Sequence, residues 1–263
     1  MFSQAQYEAV IAEIESGMKS FGTNLDKLIP AAQGATNHWY ITPPVADAIN
    51  WLAEKSVEVG KAILNWFVDL LKGAVAPIYM FIDSWNWMDI RGKANAVSTD
   101  LTTQHLVVDD SDWSGKARDA YLNAAGAQSG AAGRIGSIAG STSLNLLACA
   151  SAGLGFYIVL AGVLVKLIAA TVTAIAAFGS AVFSWVGAGI VLEEAGVNSG
   201  IIVAAVSTLA LFLGAQATAM ITMHGDAVDP TSFPEGVWPK ANSGQYSDAT
   251  VKDGDADWSL KND

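Results

Sequence analysis

The chain has 263 residues, of which 52% are hydrophobic and 15% charged, and its formal net charge is −11. An acidic chain gains no free energy from counterion release on nucleic acid, so DNA and RNA are excluded as expected partners, and no basic cluster is present to attract anionic lipid. The single cysteine, Cys149, excludes an intramolecular disulfide and a cysteine-based metal site.

A helical hairpin is the first predicted domain, residues 1–84. Ser3 followed by Gln6 fits a capping box at a helix start, and Pro30 marks the predicted end of that helix. The apolar residues between them recur at spacings of three and four, which is typical of one face of an α-helix. They are Val10, Ile14, Met18, Phe21, Leu25 and Leu28.

The second helix of the hairpin is predicted to begin with Thr42 as N-cap and Pro43 in the first helical position. Its apolar face consists of Ile49, Leu52, Val59, Ile63, Trp66 and Leu70. Trp51 lies off this face, beside Lys55 and Glu58. This tryptophan either contacts a partner or a membrane interface, or is partly covered by neighbouring chain.

The second predicted domain, residues 85–145, is a helical pair that would complete an antiparallel four-helix bundle. The Trp-Asn-Trp-Met cluster at residues 85–88 predicts a break after the hairpin, and a third helix is expected over about Ile90–Val108. A polar turn follows, in which Ser114 is the expected cap of a fourth helix beginning at Lys116. This fourth helix is predicted to run directly into the apolar region that follows.

The third predicted domain, residues 146–223, is a membrane region, because it carries one lysine and two glutamates in all. A membrane span needs about 20 apolar residues. Lys166 divides the first apolar run, so two helices joined by a turn near it are predicted, the rival interpretation being one helix on which Lys166 faces a polar interior. A second break is predicted before a third possible span, Gly200–Met223. The residues that indicate this break are Glu193, Glu194, Asn198 and Gly200.

Close helix packing is expected here, since small residues let helices approach one another in lipid, and Gly136 with Gly140 has the small-xxx-small spacing at the edge of the region. The residues leave open an alternative, a buried helical hairpin in a soluble bundle that the N-terminal half would cover. The last predicted domain, residues 224–263, is polar, acidic and proline-containing, which predicts a flexible, disordered tail.

No enzyme is predicted, and no cofactor or metal is expected. The three histidines, His38, His105 and His224, lie in separate segments without metal-binding spacing. The sequence contains no phosphate-binding loop, dinucleotide fingerprint or nucleophile elbow.

Two short motifs lie at predicted helix boundaries. Residues 79–83 begin with Tyr79 and end with Asp83 in a Y-x-x-x-D/E pattern, and Trp113 with Gly115 forms a W-x-G between two helices. Over about residues 1–145, their order resembles the PE/PPE-like Esp substrates and other WXG-type substrates of actinobacterial type VII (ESX) secretion. The resemblance implies that Tyr79 and Asp83 are secretion-signal residues, and that Trp113 and Gly115 shape the bundle end.

The first 25 residues contain no apolar signal core, so a signal-peptide-independent route to the cell envelope or the outside is expected. Together these features predict a type VII-secreted, membrane-inserting helical protein that oligomerises into a pore or permeability channel. The expected partners are a lipid membrane, the type VII secretion machinery or a chaperone, and further copies of the chain.

A water-filled lumen would need polar side chains in the spans. The candidates are Lys166, Thr171, Thr173 and Ser180. The alternative function is a non-secreted integral membrane accessory or immunity protein of the cytoplasmic membrane. A holin-like phage protein would fit the multiple spans but not the long helical N-terminal half.

Overall fold

The computed structural model describes residues 3–106, 109, 111, 113–179 and 184–240 of the chain. Within these residues the protein is all-α, without a strand. The helices are α1 (Gln4–Thr36), α2 (Pro43–Leu71), α3 (Ala76–Asp100), the short α4 (Thr103–Leu106), α5 (Lys116–Gly179) and α6 (Ser184–Ala227), and a single 3₁₀ turn follows at Pro234–Gly236.

The first two helices begin where the sequence predicts. Ser3 is the N-cap of α1, where its hydroxyl accepts a hydrogen bond from the backbone N–H of Gln6, and Thr42 is the N-cap of α2. The predicted end of α1 at Pro30 is wrong, because the helix continues to Thr36. Proline removes one helical hydrogen bond at a cost of about 3 kcal/mol. Burial of the alanines that follow, Ala32 and Ala35, helps to offset that cost.

The chain divides into two compact units, each assembled from two separate stretches of sequence. Unit 1 comprises residues 1–81 and 147–215, and unit 2 comprises residues 82–146 and 216–263. Helices α3, α5 and α6 therefore contribute residues to both units. Each unit joins segments that the sequence assigned to different domains.

The core of unit 1 is formed where α1 and α2 pack on each other and on residues 147–179 of α5. The two helical stripes predicted for α1 and α2 supply much of it. Fully buried members include Tyr7, Ile14, Phe21, Leu25, Leu28, Phe67, Leu160 and Phe178. Tyr7 also donates a hydrogen bond of 2.6 Å from its phenol oxygen to the carbonyl oxygen of Ala74. Burial, followed by the nearby Tyr157, raises the pKa of Tyr7 above its usual value.

Unit 2 is held largely by polar contacts. The Ser143 hydroxyl donates to the carbonyl oxygen of Ser84 at 2.7 Å, and the Ser129 hydroxyl donates to that of Ser98 at 2.6 Å. Arg134 of α5 forms an ion pair with Asp226 of α6 at 2.5 Å. These bonds join α3, the first part of α5 and the end of α6.

The break between the second and third helices is displaced from its predicted place. It lies at residues 72–75, and the Trp-Asn-Trp-Met cluster at 85–88 is in the middle of α3. The third helix accordingly spans Ala76–Asp100 rather than Ile90–Val108. Pro77 stands in the first turn of α3, where a proline removes no helical hydrogen bond, so it marks the start of a helix.

Neither predicted break in the apolar region is found. Lys166 lies in the continuous helix α5 with its side chain exposed, since the residues beside it, Leu164 and Leu167, anchor the helix in the core. The prediction of a turn at Lys166 is therefore wrong, and the exposed side chain does not face an interior within this chain.

Residues 193–200 are likewise part of α6. Asn198 is buried and its amide donates to both the carbonyl oxygen and the carboxylate of Glu194, at 2.8 and 3.0 Å. The amide nitrogen of Asn198 is thus satisfied within the helix, whereas its side-chain oxygen is buried without a hydrogen-bond partner among the described residues. Glycine in a helix interior costs only about 1 kcal/mol relative to alanine, so Gly200 does not end it.

Residues 224–240, which were expected to belong to a flexible tail, are part of the described structure. Helix α6 continues to Ala227, and Phe233 is buried within unit 2. The Gln128 side chain donates to the carbonyl oxygen of Pro239 at 2.9 Å. The remainder of the predicted tail, residues 241–263, lies outside the described residues.

Candidate functional site

Three segments are long and apolar enough to cross a membrane by length and composition. They are Pro43–Asp100, Lys116–Phe178 and Leu192–Ala227, with mean hydropathies of 1.2, 2.4 and 1.9 in their most apolar 18-residue stretches. The last two contain the predicted membrane region except residues 179–191, whereas the first lies where a soluble helical bundle is predicted. Residues 200–223 of α6 contain no charge, and 24 helical residues extend about 36 Å, against a hydrocarbon core of about 30 Å.

The apolar part of α5 is covered by the rest of unit 1. In its most apolar stretch, 44% of the residues are buried. The approach is close at Gly17 of α1, where an added Cβ would lie 2.7 Å from a methyl of Leu164. Asn24 of α1 donates to the hydroxyl of Thr171 at 3.3 Å. Helix α1 therefore lies directly against the segment that has the highest hydropathy in the chain.

The apolar part of α6 is not covered in this way. Only 6% of its most apolar stretch is buried, and its exposed side chains within unit 1 include Val197, Val203 and Leu211, the last with 78% of its surface exposed. A single exposed apolar residue is ordinary at a protein surface. A continuous uncharged helical face of this length is instead typical of a surface that contacts lipid or another protein. We take this face of α6 as the candidate functional site.

Several glycines on α6 have open space where a side chain would stand. A Cβ added at Gly196, Gly200 or Gly214 would meet no neighbouring atom within 4 Å. Ala210 and Gly214 are both exposed and four residues apart, which is the small-xxx-small spacing that lets membrane helices approach closely. The sequence analysis missed this pair, although its spacing is visible in the sequence.

The predicted pair Gly136 and Gly140 has a different environment, within unit 2. A Cβ at Gly136 would meet the side-chain oxygen of Asn95, and one at Gly140 would lie 3.1 Å from the side chain of Arg91. These glycines admit polar side chains of α3, and so they form part of a polar groove.

The polar side chains proposed to line a lumen do not share one face. Lys166 and Thr173 are exposed and seven residues apart, which places them on the same side of α5. Thr171 is buried, and its hydroxyl donates to the carbonyl oxygens of Leu167 and Ile168. Ser180 lies outside the described residues.

Tyr79 and Asp83 are both exposed on α3. Residues four apart in a helix lie on one face, so the two side chains of the predicted secretion motif point in similar directions. Asn86 donates a hydrogen bond to the carboxylate of Asp83 at 3.4 Å. A receptor could reach both side chains without local unfolding.

Trp113 and Gly115 form the turn that precedes α5. Gly115 has a φ of +100°, a conformation that side-chain-bearing residues rarely adopt, and a Cβ there would meet no atom within 4 Å. The requirement for glycine is therefore conformational. The predicted cap Ser114 is one residue too early, because the first helical bond runs from the N–H of Asp119 to the carbonyl oxygen of Gly115.

Trp113 is held on the outside of that turn. Its backbone N–H donates to the carbonyl oxygen of Asp109 at 3.1 Å, and its ring lies 5.5 Å from the ring of Tyr121. About two fifths of the tryptophan surface remains exposed. The W-x-G residues thus shape the start of α5 and present an aromatic surface.

No group of three or more potential metal ligands occurs among the described residues. Comparison of the chain with protein-family models, with curated proteins and with solved structures gives no match.

Proposed function

We propose that the chain is a type VII-secreted helical protein that inserts into a membrane, with oligomerisation into a pore or permeability channel as a further step. The observation that carries the insertion proposal is the uncharged stretch of residues 200–223, on a helix whose most apolar stretch is 6% buried. An exposed apolar face of this length is unfavourable in water, at roughly 25 cal/mol per Å² of apolar surface. Contact with lipid removes that cost.

The export proposal is supported by the exposure of Tyr79 and Asp83 on one helical face, and by the W-x-G turn before α5. We propose that the exported body is built on the antiparallel hairpin of α1 and α2, which packs on residues 147–179 of α5. The acidic tail is proposed to be a disordered extension. The partners are the type VII secretion machinery or a chaperone, the target membrane, and further copies of the chain.

Fractionation of cells into cytosol, envelope and culture filtrate tests export. Wild type is expected outside the inner membrane, and Tyr79→Ala is expected to be retained. Tyr40→Ala is the matched control, since Tyr40 is also exposed but is followed four residues later by Pro44 instead of an acid. Retention of all three proteins in the inner membrane would contradict export and favour the integral accessory or immunity protein.

Insertion of α5 requires the hairpin of α1 and α2 to separate from it, since α1 packs on Leu164 through Gly17. A disulfide between Gly17→Cys and Leu164→Cys, in a Cys149→Ser background, would hold these helices together. A Cβ at residue 17 would lie 3.2 Å from Leu164 Cγ, so the two positions are close enough for a bridge.

Leakage of a dye from phosphatidylcholine vesicles measures the effect of this lock. The oxidised protein is expected to be inactive and to recover on reduction. The control disulfide joins Leu25→Cys to Gly60→Cys, where a Cβ at residue 60 would lie 3.2 Å from Leu25 Cγ. This disulfide links α1 only to α2. The oxidised control protein should therefore still release the dye. Equal leakage from both oxidised proteins would contradict separation of the hairpin from α5.

Oligomerisation is supported by the exposed pair Ala210 and Gly214 on α6. Cross-linking in vesicles tests this step. Gly214→Leu is expected to lower the fraction of cross-linked chains without preventing membrane binding, whereas an unchanged ladder of cross-linked species would exclude this face as the contact between copies.

A further inference from the structure

An apolar groove of about 310 Å³ opens within unit 1. Its walls come from α5, through Cys149, Phe156 and Tyr157, and from α6, through Val206 and Leu209. The residues around the turn between α2 and α3 close one end of it. The groove therefore lies between two helices that are each apolar enough to cross a membrane.

A second groove, of about 370 Å³, lies on the other side of the same helix pair. Phe156 and Leu209 line both grooves. The two side chains thus separate the two grooves. Both grooves are open to solvent, so each offers apolar surface that a further component would remove from water.

The polar side chain inside the 310 Å³ groove already has a partner within the chain. The phenol of Tyr157 donates to the carbonyl oxygen of Leu70 at 2.9 Å. Ligand pockets for polar molecules normally offer a few free polar groups for orientation. The interior of this groove favours an apolar occupant.

A methylene chain is narrow enough to lie inside the groove. It is about 4 Å across at carbon contact distance, so 310 Å³ would hold on the order of 20 Å of it. A helix with its side chains is about 10–12 Å across, so it would lie over the groove with only single side chains inside. An acyl chain therefore fills this groove more completely than a helix does.

We propose that this groove binds one acyl chain of a zwitterionic phospholipid from the bilayer. Asp69 lines the groove and forms an exposed ion pair with Lys72 at 2.6 Å, so one carboxylate and one ammonium group stand beside it for the headgroup. That pair complements a headgroup carrying both charges, and the net charge of −11 disfavours an anionic lipid. The inference does not depend on export or on insertion, because a lipid monomer in solution could also fill the groove.

The single cysteine of the chain provides the measurement, because Cys149 lines the groove. The probe is palmitoyl-lysophosphatidylcholine below its micelle concentration, and the readout is the rate at which N-ethylmaleimide modifies Cys149 in the full chain. Saturation with the lysolipid is expected to slow this reaction at least tenfold. Native mass spectrometry should find one lysolipid per chain.

Two valines on α6 provide a matched pair of variants. Val206→Phe adds a ring to the groove wall, whereas Val203→Phe adds the same ring at an exposed position outside both grooves. Val206→Phe is expected to lose the bound lipid and the protection of Cys149, and Val203→Phe should keep both. The rate ratio with and without lipid is compared within each variant, so a changed basal rate does not affect the result.

An unchanged labelling rate for wild type in the presence of lysolipid would overturn the proposal. Detection of one bound lipid per chain of the Val206→Phe variant would also overturn it. Equal protection by dodecane, which has no headgroup, would overturn the assignment to a phospholipid, and protection that accompanies dimer formation without lipid would assign the groove to a second copy. If the protein binds lysolipid but causes no leakage from vesicles, only the insertion proposal is contradicted.

Discussion

Helices α5 and α6 are both apolar enough to cross a membrane, yet this chain covers them to very different extents. The most apolar stretch of α5 is 44% buried, and that of α6 is 6% buried. Their mean hydropathies, 2.4 and 1.9, do not explain the difference. Helices α1 and α2 supply an apolar stripe to α5, whereas the outer face of α6 receives no comparable cover from the described residues.

The glycines of the two regions show this difference only in part, because Gly155 and Gly162 of α5 also face open space. On α5, a Cβ at Gly153 would lie 2.5 Å from the ring of Pro77, so the contact within the chain accounts for this glycine. On α6, Gly200 and Gly214 have no such neighbour in the described structure. We infer that the packing of α5 belongs to the folded chain, and that the partners of α6 lie outside it.

The largest expected difference comes from one substitution made in both helices. Leu160 of α5 is fully buried, so Leu160→Ala should lower the free energy of unfolding by about 2–5 kcal/mol. Leu211 of α6 is 78% exposed, and Leu211→Ala should change it by less than about 0.5 kcal/mol. Urea denaturation of the detergent-free protein measures both. Equal losses of unfolding free energy would show that α6 is packed as tightly as α5.

A charge on α6 should instead affect membrane binding. Residue 211 is at the middle of the uncharged stretch 200–223, where a lysine costs about 2.5–3.5 kcal/mol on insertion scales, or roughly 70- to 400-fold in vesicle partitioning. Val197→Lys is the control, because Val197 is also exposed but lies beside Glu193 and Glu194. Vesicle flotation measures partitioning, and similar losses for both variants would argue against a span centred on residue 211.

Glycine-to-alanine substitutions should have opposite signs in the two helices. Gly153→Ala is expected to destabilise the fold by about 1–3 kcal/mol, since the ring of Pro77 cannot move away easily. Gly214→Ala should stabilise the soluble chain by up to about 1 kcal/mol through helix propensity. Thermal unfolding of both variants checks the signs, and a stabilising Gly153→Ala would show that α3 and α5 are less tightly packed than this.

The smallest effect concerns the attachment of α1 to the turn between α2 and α3. Tyr7→Phe removes the hydrogen bond to Ala74 and should cost about 0.5–1.5 kcal/mol near neutral pH. The pKa of Tyr7 is raised in the folded state, so its contribution is complete below the unfolded pKa of 10.0 and is lost as pH rises above that value. Stability measured between pH 8 and 11 should therefore fall less steeply for Tyr7→Phe than for wild type, and identical slopes would contradict burial of this phenol.

Several features follow from the sequence because they depend on neighbouring residues alone. The caps Ser3 and Thr42, the apolar stripes of α1 and α2, and the unbroken run from Lys116 into the apolar region all follow from helix periodicity and capping chemistry. The polar residues Lys166 and Asn198 led to wrong predictions of where helices end. The first residue keeps its side chain exposed, and the second is paired with Glu194, so neither ends a helix.

Composition and periodicity are properties of short segments, so the helical character of the chain and the apolar character of its second half can be read from the residues alone. The cover of α5 by α1 and α2, the exposure of α6 and the groove beside Cys149 emerge only when the helices pack together. Which of two apolar helices is buried depends on contacts between residues far apart in the chain, such as Gly17 with Leu164, and hydropathy carries no information about them.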